Sequence, residues 1–265
     1  MSRGCKPARE QFADVTAPKA ARVYTRGLNP IGTIQSDGMR IVDLGLLDYR
    51  AAWKRQEEEH ARVLEGGEEA LLLVEHPPVI TFGRRAADSA SHLVASVDQL
   101  AAAGVAVVES DRGGDITYHA PGQLVAYPIV RLADHRMSVG AYVKALEHAV
   151  IDTLAHFGLN GRLDPSAIGV WVASDTACPT SDKGCLMAKV CALGVRIKRG
   201  VSLHGIALNV TTDLSGFGLI VPCGIVDRSV TSLAKLLGPR CPTMADAKNA
   251  LSRHLIARFL HPPAD

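Results

Sequence analysis

A chain of 265 residues with 47% hydrophobic composition can bury one sizeable core, and a net charge of +2 lacks the basic excess of a nucleic-acid binder. Its longest apolar runs, such as Ala70-Leu71-Leu72-Leu73-Val74, fall far short of the roughly 20 residues needed to cross a bilayer, so no membrane span is expected. Six cysteines (Cys5, Cys178, Cys185, Cys191, Cys223, Cys241) are too sparse for a disulfide scaffold and no apolar signal core follows Met1, so a reducing compartment is expected.

Residues 1–38 scatter Arg3, Lys6, Arg9, Lys19, Arg22 and Arg26 among small and turn-forming residues without an apolar period, which reads as a poorly ordered extension. A simple tail, a misplaced start and an organellar transit peptide all fit, although Glu10 and Asp14 count against the last. One domain is expected over 39–265. After a short apolar stretch at Ile41-Val42, Tyr49, Trp53, Gln56, His60 and Val63 share one helical face until Gly66-Gly67. A strand over 70–74 follows, then a short helix capped by Ser96 and ended at Gly104. Residues 105–108 and 124–130 read as buried strands separated by a glycine-rich loop. Ser138 starts the strongest helix, with Val139, Tyr142, Val143, Leu146, Val150, Leu154 and Phe157 on one stripe before Gly158. Three more strands (168–172, 190–197, 203–210) and a helix opened by Thr243 and bearing Ala247, Leu251, Leu255 and Phe259 complete the pattern. Short links such as Lys198-Arg199-Gly200 favour an α/β (α+β) fold with a mixed β-sheet and packed helices over a regular βαβ series.

Three segments carry chemistry. In Arg112-Gly113-Gly114-Asp115-Ile116-Thr117-Tyr118-His119-Ala120-Pro121-Gly122-Gln123, adjacent glycines permit close backbone approach to a ligand, beside a cation and a titratable ring. The run matches neither a phosphate loop nor a dinucleotide fingerprint, and an ordinary hairpin turn competes with a ligand site. In the second, Lys189 enters an otherwise apolar strand, where it either snorkels to water or sits in a site. Cys191 would share its face in a regular strand, as a second reactive group or as a small core side chain. The third is Pro222-Cys223-Gly224, where one residue fixes the backbone and the next frees it, a plausible way to present a thiol beside backbone N–H groups; a buried structural cysteine is the alternative. Cys178, Cys185 and Cys191 lack the paired spacing of zinc sites, so no metal is expected, and residues 174–184 read as an exposed insertion.

Taken together and in order, these stretches resemble the lipoyl(octanoyl) transferase family over most of the chain. The resemblance is carried by Glu75-His76-Pro77-Pro78-Val79 with Thr81 and Gly83, Arg112-Gly113-Gly114 through Tyr118-His119, and Gly169-Val170-Trp171-Val172. It continues through Lys189 with Ala192-Leu193-Gly194, the run from Ser202-Leu203-His204-Gly205 to Asn209, and Pro222-Cys223-Gly224 leading to Val230-Thr231-Ser232.

The resemblance implies a biotin/lipoate protein ligase-like fold and an acyltransferase that needs no cofactor. In it, Cys223 and Lys189 are the catalytic pair. Arg112, Gly113, Gly114, Asp115, Ile116, Thr117, Tyr118, His119, Ala192, Leu193, Gly194, Gly205, Ile206 and Ala207 surround the acyl group. It further implies octanoyl-acyl-carrier protein as donor, and as acceptors the lipoyl domains of 2-oxoacid dehydrogenase E2 subunits and the glycine-cleavage H protein. Cytosol is the expected compartment, with the mitochondrial matrix second. Three departures stand out: Ala120 replaces a usual glycine, Ile80 replaces a usual tyrosine, and the 174–184 insertion is long. An ATP-dependent lipoate or biotin ligase and a non-catalytic acyl-binding protein are the competing readings; the first needs no nucleophilic cysteine.

Overall fold

Leucine-rich and β-branched runs covered on both faces build most of the molecule. The computed structural model describes residues 32–36, 39–85, 92–173, 187–221 and 229–261. Strands β1 (Gly32–Ser36) and β2 (Met39–Leu46) precede helix α1 (Tyr49–Leu64), then β3 (Glu69–Glu75) and β4 (Val79–Phe82). Helix α2 (Val97–Ala102) leads to β5 (Ala106–Glu109), β6 (Ile116–His119) and β7 (Gln123–Ile129). Helix α3 (Val139–His156) is followed by β8 (Gly161–Asp164), β9 (Ala167–Ala173), β10 (Met187–Lys198) and β11 (Val201–Asn209). A 3₁₀ turn (Leu214–Leu219), β12 (Ser229–Val230), α4 (Leu233–Leu237) and α5 (Met244–Leu260) close the chain.

Nine strands form one mixed sheet in the order β1-β2-β3-β7-β11-β10-β9-β8, with β12 added parallel to β10; β5-β4-β6 form a second, smaller sheet. Alternation along the central strands feeds two layers. Leu71, Leu73, Leu124, Ala126, Ile206 and Leu208 point to Tyr142, Leu146, Val150 and Leu154 of α3 and to Leu251, Leu255 and Phe259 of α5. Leu72, Val74, Val125, Tyr127, Leu203 and Ala207 point the other way, to Ala52 and Val63 of α1. Each such leucine or valine, fully buried, contributes about 1.5–3 kcal/mol, and with both faces covered β3 reads as one apolar run rather than an alternation.

Local signals hold at the helix ends. Asp48 caps α1 by accepting from Arg50 N and Ala51 N, and Ser96 with Gln99 and Thr243 with Asp246 form capping boxes. Arg199 (φ 54) and Gly200 (φ 81) make the left-handed pair that a two-residue hairpin between β10 and β11 requires.

Several expectations need correction. Ile41-Val42 is the middle of an eight-residue strand. Four residues of the supposed loop before residue 124 are strand β6, paired with β4; four residues beside glycines are too few for a period to emerge. Val139 stands off the core at 52% exposure, because it opens the first turn of α3. Gly32–Ser36, within the stretch read as an extension, pairs antiparallel with β2; residues 1–31, 174–186 and 222–228 lie outside the described residues, and with them Cys178, Cys185 and Cys223.

Candidate active site

The glycine-rich segment reaches β10 because neither side carries a side chain at the contact. Gly113 N donates to Val195 O at 2.9 Å, and a Cβ on Gly194 would stand 2.7 Å from Gly113 O. Gly205, opposite Gly194 on β11, is as tightly placed: its Cβ would meet Ala126 O at 2.1 Å. These approaches wall a cavity of about 650 Å³, within the usual range for small-ligand sites. Its apolar surface includes Ile116, Val125, Leu193, Ile206 and Ala207, and its polar groups include Lys189, His119 and His204.

Of the residues the resemblance implicates, Arg112 through Thr117, His119, Lys189, Ala192-Leu193-Gly194 and Gly205-Ile206-Ala207 line this cavity. Tyr118 does not. Strand alternation turns it into the small sheet's own core, edge-on to Phe217 with ring centroids 5.4 Å apart. Ile80, fully buried opposite Tyr118, belongs to that core too, and Ala120 keeps a negative φ, so neither departure reaches the cavity wall.

Arg112 is 7% exposed, and its guanidinium organises the loop: Nε and Nη2 donate to Thr81 Oγ1 at 3.1 and 3.0 Å, and Nη2 also donates to Thr81 O and Asp115 O. Arginine only donates, which sets the direction of everything downstream. Thr81 Oγ1 donates to His119 Nε2 at 3.4 Å, His119 Nδ1 donates to Gln123 Oε1 at 2.7 Å, and Gln123 Nε2 donates to Asn209 Oδ1 at 2.8 Å. Asn209 Nδ2 ends the series on Thr231 O at 3.0 Å, one residue past β12. Burial, then the charges of His76, Arg112 and His204, hold His119 well below its ordinary imidazole value despite the Gln123 bond. A neutral ring is what this series needs. His76, lowered to about 4 by burial, donates from Nδ1 to Leu47 O and accepts from the Tyr127 hydroxyl.

His204 holds an uncommon left-handed backbone (φ 58), with its N–H on Gln56 Oε1 at 2.7 Å. Its Nε2 donates to Asp111 Oδ1 at 2.7 Å, and Asp111 also pairs with Arg196 on β10, so the residue just before Arg112 is tied to both strands beneath the loop. Burial, then the Arg112 and Arg196 cations, keep His204 below its ordinary value.

Lys189 is 8% exposed; its Nζ donates to Ile168 O at 3.0 Å and lies 4.6 Å from the Trp171 ring centroid. The expected shared face with Cys191 is absent, because a bulge interrupts the β9–β10 register between the two residues. Val190 and Cys191 both enter the α3 core, and burial drives the Cys191 thiol up to about 12. That thiol is inert. Beyond Lys189, its backbone O accepts from Thr231 N, and Val230 sits opposite it in the parallel pair with β12. Val230 and Phe217 both line the cavity, and Val221 N donates to the backbone of another lining residue, His92, at 2.7 Å.

Sequence reasoning gave no role to Glu147, Tyr49 or Tyr127, and noted Thr81, Asn209 and His204 only within matching stretches. Asn209 ending an apolar strand was the one local signal available, since a buried amide must find partners.

Residues 48–256 match the model of the lipoyl protein ligase A/B catalytic domain. The chain is 49% identical over 224 residues to the octanoyltransferase of Chloroflexus aggregans, covering 83% of this chain and 95% of that one. It is 51% identical to that of Chloroflexus aurantiacus (78% and 88% covered) and 46% identical to that of a Roseiflexus species (85% and 89%). Among solved structures, lipoate-protein ligase A bound with ATP superposes with a TM-score of 0.60 at 17% identity, over 86% of each chain. The bipartite lipoate protein ligase of Thermoplasma acidophilum gives 0.60 at 17%, over 86% and 85%. At these identities the structures establish the fold, that of the lipoate protein ligases.

Proposed function

Because this chain belongs to the lipoyl protein ligase A/B catalytic-domain family and is an octanoyltransferase, we propose that it works through an acyl-enzyme thioester on Cys223 with Lys189 as proton carrier. The donor is octanoyl-acyl-carrier protein. The acceptors are lysines on lipoyl domains of 2-oxoacid dehydrogenase E2 subunits and on the glycine-cleavage H protein. The site lies within one catalytic unit, residues 39–265 together with strand β1 that pairs onto β2, and works in the cytosol, in keeping with bacterial relatives.

One observation carries this reading: a nearly buried ammonium, that of Lys189, on the wall of a mainly apolar cavity. A charge kept there is costly to bury and is characteristic of sites that use it. In support of Cys223, the described residues on both sides of the segment that contains it, Val221 and Val230, border the same cavity or hydrogen-bond to its wall.

The Cys223 thiolate, favoured by the neighbouring ammonium, attacks the donor's thioester carbon. The carrier's thiolate leaves with a proton from Lys189, which becomes neutral. The neutral amine of the acceptor lysine then attacks the Cys223 thioester and gives a proton to Lys189, and the Cys223 thiolate departs. One thioester is broken and one amide formed; the catalytic pair returns to thiolate and ammonium. Ala192-Leu193-Gly194, Gly205-Ile206-Ala207, the loop from Arg112 to Thr117 and His119 hold the octanoyl tail, with about 0.8 kcal/mol gained per buried methylene.

Intact-mass measurement after mixing with octanoyl-acyl-carrier protein tests this. An octanoyl adduct is expected on wild type and none on Cys223→Ala. A Cys223→Ala protein keeping about a tenth or more of the transfer rate, or AMP release from ATP and free octanoate, would overturn it.

A further inference from the structure

On α3, Tyr142, Leu146, Val150 and Leu154 meet apolar partners, yet the same helix buries a carboxylate: Glu147 is 8% exposed. Its Oε1 accepts from Gly169 N at 3.1 Å. The carbonyl of that same peptide unit, Ile168 O, accepts from Lys189 Nζ at 3.0 Å. A trans peptide is planar with its N–H and C=O pointing opposite ways, so carboxylate, peptide and ammonium stand in series. An acceptor on the N–H polarises the group and makes its carbonyl a stronger partner for a cation.

The peptide sits where only glycine allows. Gly169 has φ +124, and a Cβ there would meet Cys191 O at 2.6 Å and Lys189 Cε at 3.4 Å. Glu147 and Lys189 therefore bind the two ends of one peptide unit, whose glycine leaves room for the lysine stem. Besides Lys189, the titratable groups that bear on Glu147 are His148 on its own helix and Cys191 on β10.

We propose that Glu147 is a positioning residue for Lys189, acting through the Ile168–Gly169 peptide to hold the ammonium on the cavity wall over Trp171. This rests on the role given to Lys189 above. A carboxylate that merely satisfied an otherwise unbonded N–H would contribute to stability and leave the lysine untouched.

The experiment reads Lys189 directly in the full chain, without turnover. Competitive labelling with limiting acetic anhydride, followed across pH by peptide mass spectrometry, reports the fraction of free amine. Glu147→Gln keeps an acceptor for Gly169 N but loses the charge, and Glu147→Leu loses both. Labelling of Lys189 at neutral pH is expected to rise from wild type through Glu147→Gln to Glu147→Leu, by about tenfold between the extremes. The transfer kcat should fall in the same order at unchanged KM, independently of the melting temperature that Glu147→Leu loses by leaving Gly169 N without its acceptor. If Glu147→Leu does not fold, Glu147→Gln carries the comparison alone. Labelling curves that superpose on wild type would overturn the proposal. Curves that shift while Lys189→Ala still transfers octanoate would uphold the Glu147 link and overturn the catalytic pair instead.

Discussion

Gly194 and Gly113 meet so closely that a methyl group on Gly194 would stand 2.7 Å from the carbonyl oxygen of Gly113. Gly194→Ala must therefore push the loop off β10, which for an overpacked site costs about 1–3 kcal/mol. The expected result is a lowered denaturation midpoint and a raised KM for the acyl donor. Gly218→Ala, with nothing within 4 Å of the added carbon, is the matched control and should stay within about 0.5 kcal/mol of wild type.

Lys189→Arg separates the two half-reactions. Arginine keeps a positive charge beside Ile168 O and Trp171 but cannot give up a proton near neutral pH. Acylation should persist weakly while transfer to the acceptor amine stalls, so a hydroxylamine-sensitive adduct accumulates and is seen by intact mass. Equal rates for both steps would mean that the lysine carries no proton.

Thr81→Val removes the hydroxyl that accepts from Arg112 and donates to His119 while keeping the side chain's shape. Nη2 keeps Thr81 O and Asp115 O, but the buried Nε–H loses the Thr81 hydroxyl and His119 loses its donor, so urea unfolding should report a loss of about 1–3 kcal/mol.

Acid should destabilise the fold through its neutral imidazoles. His76 is lowered from 6.5 to about 4, so the unfolded chain binds its proton first as pH falls. The contribution is complete above about pH 6.5 and is lost progressively toward pH 4, a total of roughly 3 kcal/mol from this group. His119 acts in the same sense. His135, raised by its bond to Glu69, acts oppositely: its contribution is present at low pH and is lost as pH rises. Unfolding free energies between pH 7 and 5 should fall, and less steeply for His76→Gln.

What was legible in the sequence depended on length and on locality. The helical period along the 18 residues of α3 and the buried run 70–74 of β3 were plain, because each repeats its signal many times. Strands β4, β6 and β8 have four residues each, too few for a period, and β6 lies between glycine and proline turns. Among catalytic candidates, the lysine strand and the glycine-rich loop could be read, because their residues are contiguous. The bulge that separates Lys189 from Cys191 could not, since it arises from pairing with β9. Glu147 looked like an ordinary helical glutamate, and its partner is a backbone amide 22 positions away.

The order of strands in the large sheet has a consequence during synthesis. Strand β7 is buried along its whole length between β3 and β11, but β3 is made before it and β11 only some seventy residues later. At about 5–20 residues per second, the nascent chain spends on the order of ten seconds with one side of β7 unpaired. A bare strand edge of that kind is a template for joining another chain. Production of this protein at high expression should therefore be limited by partly made chains rather than by the stability of finished ones, and slowing initiation should raise yield more than lowering the temperature of the purified protein ever could.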